Sequence, residues 1–304
     1  MEIKKFIFIL ILCLSPVLNI SAQVVSSSKA SVLINNKKKA VVNQNIPPPV
    51  IETDTTVVQP LAGIELPLAG GKYYALIIGI SSYNDPLITE LNDPINDART
   101  FFNVLTTRYI FEKDNVRFLK NATMADIVAA LDFYSKTIRP VDNFLIFYAG
   151  HGVWDAASEI GFWLPSDARY NSKLAWFRNS TLRDYVREIK SKHTLLISDA
   201  CFGGSILKTR SASMDVPLAI KKLYALPSRK AMTSGTTAEE VPDRSAFLKY
   251  LIDRLEKNNE KYLSSEQLFS SFRIAVINNS NAIPQFGEIK DVGDEGGDFI
   301  FILR

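Results

Sequence analysis

A thiol and an imidazole are the residues of this 304-residue sequence best placed for covalent chemistry. Cys201 lies in Asp199-Ala200-Cys201-Phe202-Gly203-Gly204, just after the apolar run Thr194-Leu195-Leu196-Ile197-Ser198. His151 lies in Gly150-His151-Gly152, just after a second apolar run, Phe144 to Ala149. A thiol attacks a carbonyl only as thiolate, and a nearby imidazole lowers its pKa and later protonates the leaving amine. The tetrahedral intermediate also needs amide donors aimed at its oxyanion, each worth about 3 to 4 kcal/mol. The amides of Gly152 and Cys201 are the natural suppliers, and Gly203-Gly204 lets the chain turn sharply behind the thiol. Peptide hydrolysis is the leading expectation.

Rival chemistries find little support. The other histidine, His193, precedes its apolar run and falls at the opposite end of any strand from Cys201. It is expected to be solvent-exposed or capping. Two cysteines far apart, Cys13 and Cys201, and two distant histidines leave no cluster for a metal. There is no Gly-x-Ser-x-Gly elbow and no phosphate-binding Walker loop. The composition, 47% hydrophobic and 22% charged, is that of an ordinary globular chain. The net charge of +3, from 35 basic against 32 acidic residues, is mixed along the sequence. That argues against a nucleic-acid partner.

Residues 1–22 read as an export signal, with Lys4-Lys5, the apolar stretch Phe6 to Leu14, and Ser21-Ala22 before Gln23. The apolar stretch is too short to span a membrane, and no other run approaches about 18 uncharged apolar residues. A lipid anchor through Cys13 is the weaker alternative, because Leu12 stands where a small residue belongs. Cleavage makes Cys201 the single cysteine of a periplasmic, cell-surface or secreted protein. Residues 23–70 carry Ser26-Ser27-Ser28, Lys37-Lys38-Lys39 and Pro47-Pro48-Pro49 without sustained periodicity. They are expected to form a disordered linker or pro-segment, with a short strand at Ile64 to Leu66 as an option.

The two reactive residues need a scaffold, and residues 71–304 are expected to supply it. Tyr74 to Ile80, 115–119, 142–149, 194–199, 229–234 and 299–303 read as strands. Helical spacing marks Asp93 to Thr107, a Thr123-capped segment to about Ile138, Thr181 to Ser191, Ala246 to Lys257 and Ser264 to Asn278. Residues 205–228 read as irregular and basic. Apolar strands alternating with helices predict an α/β fold, a mostly parallel sheet with helices on both faces. Sites in such sheets gather at the carboxyl ends of strands. His151 and Cys201 both lie just past such ends and converge if their strands are neighbours.

The two motifs together resemble the paired signatures of the caspase-like cysteine peptidases, the clan of caspases, metacaspases and paracaspases. Within it the chain is most similar to bacterial metacaspase-like proteins. The resemblance extends to Tyr74 to Tyr83, to Leu91 to Arg99 with Asn96-Asp97-Ala98, to Trp163 to Ala168, and to Thr233-Ser234-Gly235 through Phe247. It covers residues 73–304. It implies a three-layer sandwich with a central, mostly parallel six-stranded sheet. It implies Cys201 as nucleophile, His151 as general acid/base, Gly152 and Cys201 amides as oxyanion hole, and no third catalytic residue.

The resemblance also bears on specificity. In metacaspases an Asp two residues before the nucleophile lines the P1 pocket with a second acid from the Asn-Asp-Ala motif. Here these are Asp199 and Asp97, and they imply peptide or protein substrates cut after Arg or Lys. Asp93, in the repeated dipeptide Asn92-Asp93, competes with Asp97. Phe202 stands where a His is common, and few carboxylates follow the cysteine, so calcium activation is not favoured and no cofactor is expected. Lys208, Arg210, Lys221, Lys222, Arg229 and Lys230 offer sites for self-processing, or simply a solvated loop. The alternatives are a catalytically silent caspase-fold module that binds peptides or partners, and a peptidase with an acidic P1 preference. Oligomeric state is not legible.

Overall fold

In a computed structural model, the apolar runs lie side by side as parallel strands. The structure describes residues 66, 70–200, 206–208, 216–236 and 245–304. The export segment, nearly all of the 23–70 spacer with the optional strand at Ile64 to Leu66, and Cys201 with its flanking glycines lie outside the described residues.

The described chain runs β1 (Tyr73–Gly79), α1 (Pro94–Arg108), β2 (Val116–Lys120), α2 (Met124–Thr137), β3 (Asn143–Ala149), β4 (Gly152–Asp155) and β5 (Ile160–Trp163). It continues through β6 (Phe177–Arg178), α3 (Asn179–Glu188), β7 (His193–Asp199), β8 (Leu207–Lys208), α4 (Val216–Ala225), β9 (Ser228–Thr233) and α5 (Ala246–Lys257). It closes with β10 (Tyr262–Ser264), α6 (Ser265–Asn279), β11 (Gln285–Ile289) and β12 (Ile300–Ile302).

The central sheet has the order β2-β1-β3-β7-β9-β11, with the two-residue β8 appended at the β11 edge. The first five strands are parallel, and β11 runs antiparallel to β9. Alternate residues of each strand enter different cores. Tyr73, Ala75 and Ile77 pack with Phe101, Phe247, Phe272 and Tyr224 from α1, α5, α6 and α4. Tyr74, Leu76 and Ile78 pack with Ile127, Leu131 and Val186 from α2 and α3. Both faces are covered, which is why the inner strands read as unbroken apolar runs rather than alternating ones. This is the expected α/β sandwich.

Several local expectations are corrected. The closing strand exists, but β12 pairs with β10 in a separate two-stranded sheet, and β11 is the sixth strand of the main sheet. The stretch 205–228 is not irregular throughout, because it contains α4. Arg229 and Lys230, offered as processing sites, are held in β9. Arg229 donates to the carbonyls of Ser191, Lys192 and Ser228, and Lys230 pairs with Asp294 at 3.0 Å. A strand inside a sheet cannot enter a protease cleft without unfolding. A small antiparallel sheet, β4-β5-β6, follows the histidine turn and had no counterpart in the sequence reading.

Candidate active site

The register of β3 and β7 decides where the reactive segments meet. These strands are adjacent and parallel, with Asn143 opposite His193 and Ala149 opposite Asp199. Each strand therefore ends beside the other, β3 running on into the His151 turn and β7 into Ala200. Cys201, two residues past Asp199, lies outside the described residues. Ala200 before it is buried.

His151 is held through its backbone and its ring. Its N–H donates to the Tyr83 hydroxyl at 2.9 Å. Its carbonyl accepts from the Tyr148 hydroxyl at 2.8 Å and from Leu164 N–H at 3.0 Å. Its Nε2 lies 2.8 Å from the Thr89 carbonyl oxygen, in the β1–α1 loop. A carbonyl can only accept, so Nε2 carries a proton, and the tautomer this contact selects has its lone pair at Nδ1. Gly150 precedes it at φ +158°, where a Cβ would sit 2.9 Å from the Tyr148 hydroxyl.

Gly152 opens β4 opposite Trp163. The Leu164-to-His151 bond makes the preceding pair a hydrogen-bonding one. Alternation in an antiparallel ladder then turns the Gly152 N–H away from β5.

Asp199 ends β7 and is 8% exposed. One carboxylate oxygen accepts from Ser245 Oγ at 2.8 Å. Burial pushes its pKa up to about 7, against the lowering influence of the Ser245 and Ser234 hydroxyls and with a further rise from the Asp97 charge. Ser234 Oγ is buried and has no partner of good hydrogen-bond geometry, yet it is close enough to act in this sense.

Asp97 and Asp93 share the start of α1, with Asp97 N–H donating to the Asp93 carbonyl at 2.9 Å. Gly79 permits this placement: a Cβ there would lie 2.8 Å from the Pro94 carbonyl oxygen, so the first turn of α1 rests on the end of β1. Both acids line a pocket of about 580 Å³ together with Ser245, Ala246, Lys249, Tyr250 and Asn279. The structure thus brings Asp97, Asp93 and, behind Ser245, Asp199 to one place. Ser245, Tyr83, Tyr148 and the Thr89 carbonyl had no role in the sequence reading. Tyr83, Tyr148 and Ser245 lay inside segments the sequence reading singled out, but a backbone carbonyl leaves no trace in residue type.

His193 corrects an expectation. It is fully buried in β7, with Nε2 3.1 Å from the Tyr224 carbonyl and Nδ1 2.9 Å from Ser228 Oγ. Burial, with the Lys192 charge, lowers its pKa to about 3. It is a satisfied core imidazole. Among the described residues no three His, Cys, Asp or Glu side chains gather as a metal-holding group, and no helix is long and apolar enough to cross a membrane.

The family model described as the caspase domain matches residues 72–290. The chain is 30% identical over 118 residues to metacaspase-1 of Saccharomyces cerevisiae strain S288c, a stretch that covers 36% of this chain and 26% of that protein. It is 32% identical over 90 residues to metacaspase-1 of Kluyveromyces lactis, covering 27% and 20%. The match thus spans about a quarter or less of these relatives' own length. Among solved structures, caspase-1 from Spodoptera frugiperda superposes with a TM-score of 0.53 at 14% identity, covering 72% of this chain and 89% of that one. A protein from Geobacter sulfurreducens gives 0.51 at 19% identity, covering 75% and 99%. At these identities the structural likeness concerns the fold.

Proposed function

The chain belongs to the caspase-domain family of cysteine peptidases, and from that premise we propose that it is an endopeptidase cutting after Arg or Lys through a Cys201–His151 dyad. One observation carries the reading: the β3–β7 register sets the His151 turn beside the segment that leads into Cys201. The protonated Nε2, tied to Thr89, supports Nδ1 as the working base.

The proposed reaction follows from these groups. Nδ1 takes the Cys201 thiol proton, and the thiolate attacks the scissile carbonyl carbon. The Gly152 and Cys201 amides are assigned to receive the oxyanion, and the outward turn of the Gly152 N–H supports that role for Gly152. The imidazolium then gives its proton to the leaving amine, leaving a thioester. Nδ1 next activates a water that cleaves the thioester, releasing a carboxylate and restoring the thiol. No cofactor enters this scheme.

The preference for a cationic P1 side chain is supported by three carboxyl groups in and behind one pocket. Lys249 at the same pocket leaves the balance acidic. The peptidase is proposed to act after export, on the reading of residues 1–22.

Fluorogenic peptides ending in Arg, Lys or Asp test the proposal, with wild type and Cys201→Ala, each with and without calcium. Cleavage after Arg and Lys that disappears in Cys201→Ala is the expected result. Cleavage after Asp alone would overturn the pocket argument. No cleavage of any peptide would point instead to a binding module.

A further inference from the structure

We infer that Tyr83 and Tyr148 are positioning residues for His151, a pair of tyrosine hydroxyls that holds its backbone N–H and its carbonyl. The inference rests on the reading of His151 as the dyad base.

His151 is the second residue past β3 and the last before β4, and it faces Leu164 at the start of the β4–β5 ladder. An ordinary hydrogen-bonded pair of this kind exchanges two bonds, N–H to C=O in each direction. Only one is made here, from Leu164 to His151. The returning bond is intercepted at both of its ends. His151 N–H goes to the Tyr83 hydroxyl, and the Leu164 carbonyl accepts from the Tyr148 hydroxyl at 3.2 Å. The single Tyr148 hydroxyl proton is shared, in a three-centre bond, with the His151 carbonyl at 2.8 Å. Two side chains thus replace half of a backbone ladder at the one residue whose ring must be aimed.

Both tyrosines are themselves fixed. Tyr83 is 8% exposed, and its ring lies against the imidazole at 5.1 Å between centroids. The loop that carries it also supplies the Thr89 carbonyl for Nε2. Turning the imidazole would break that bond. Tyr148 is fully buried and stacks on Trp163 at 4.2 Å with an interplanar angle of 2°. The indole N–H of Trp163 donates to Ser198 Oγ at 3.2 Å, on β7 one residue before Asp199. The histidine is thereby tied to the strand that leads into the nucleophile. The arrangement also accounts for Gly150, since any side chain there would meet the Tyr148 hydroxyl.

The test uses the full chain with Tyr83→Phe, Tyr148→Phe and a control, Tyr134→Phe. Tyr134 is also a buried tyrosine, its hydroxyl 2.6 Å from the Ala75 carbonyl, and it touches neither His151 nor the pocket. Each of the first two substitutions is expected to lower kcat on the order of 10- to 100-fold with little change in KM, the scale of effect from a misplaced catalytic group. Tyr134→Phe is expected to lower the unfolding temperature and leave kcat unchanged. Wild-type kcat in both test variants, or a loss matched by the control, would overturn the inference. A second readout is independent of turnover. With only His151 and His193 to resolve, ¹⁵N-histidine spectra report the His151 ring directly. A changed or exchange-broadened Nε2–H signal is expected in Tyr83→Phe. An unchanged signal counts against positioning even if wild type cleaves nothing, whereas absence of Cys201-dependent cleavage alone counts against the dyad.

Discussion

Asp199 is a carboxyl group that burial holds partly protonated near neutral pH. Ionising it inside the empty protein costs free energy, and a guanidinium or ammonium beside it returns that cost. Binding of a basic P1 side chain is therefore expected to release a proton. KM for Arg peptides should fall as pH rises from 6 to 8, and Asp199→Asn should abolish that dependence while weakening binding. The folded-state pKa lies above the unfolded value of about 3.8. The group is thus neutral in both states below pH 4, and its cost is complete only above pH 7. Asp199→Asn should accordingly stabilise the protein at pH 8, by about 2–4 kcal/mol, and do little at pH 4. Urea unfolding at the two pH values measures this. The acid was legible beside Cys201, but its burial was not, because no residue type in 199–204 announces that α5 will cover it.

Helix starts do much of the assembly at the level of elements. Thr123 was readable as a cap, and it forms a full capping box with Asp126. Ser264 does the same with Gln267 for α6. Ser245 has a double duty: its Oγ accepts from Leu248 N–H at 3.2 Å to cap α5, and it donates to Asp199. Ser245→Ala should cost about 1 kcal/mol through the lost cap and also raise KM for Arg peptides through the lost donor. Ser245→Thr should recover both. Thermal unfolding and steady-state kinetics on the three proteins check this, and a stability loss with unchanged KM would limit Ser245 to capping. The elements missed from sequence have plain reasons. β4, β5 and β6 have four, four and two residues, too short to show a period. In α4 the adjacent Lys221 and Lys222 break the apolar spacing around Ile220 and Tyr224.

Across the molecule, β7 carries an ionisable group at each end, and burial holds the two in opposite senses. His193 has a folded pKa near 3, below its unfolded value near 6.5. Its contribution is full above pH 6.5 and is lost as pH falls toward 3. Asp199 acts the other way over about pH 4 to 7. Their pH slopes nearly cancel in wild type. Asp199→Asn should uncover the histidine slope, with stability falling by about 1.4 kcal/mol per pH unit between 6.5 and 4. A flat profile in that variant would mean that His193 takes up a proton without unfolding.

The sequence by itself determined the α/β class, most of the helices, and which thiol and imidazole stand at strand ends, because apolar runs, caps and turn glycines are local properties. It also singled out Asp97 and Asp199, each within a short motif. Only the tertiary structure decided that β3 and β7 are neighbours in register, that β11 rather than the closing strand completes the sheet, and that His193 is core. It alone decided that His151 is held by two tyrosines and a distant carbonyl. Each of those depends on contacts between residues far apart in the chain, and on burial, which shifts a pKa or fixes a tautomer only once the surrounding elements have closed.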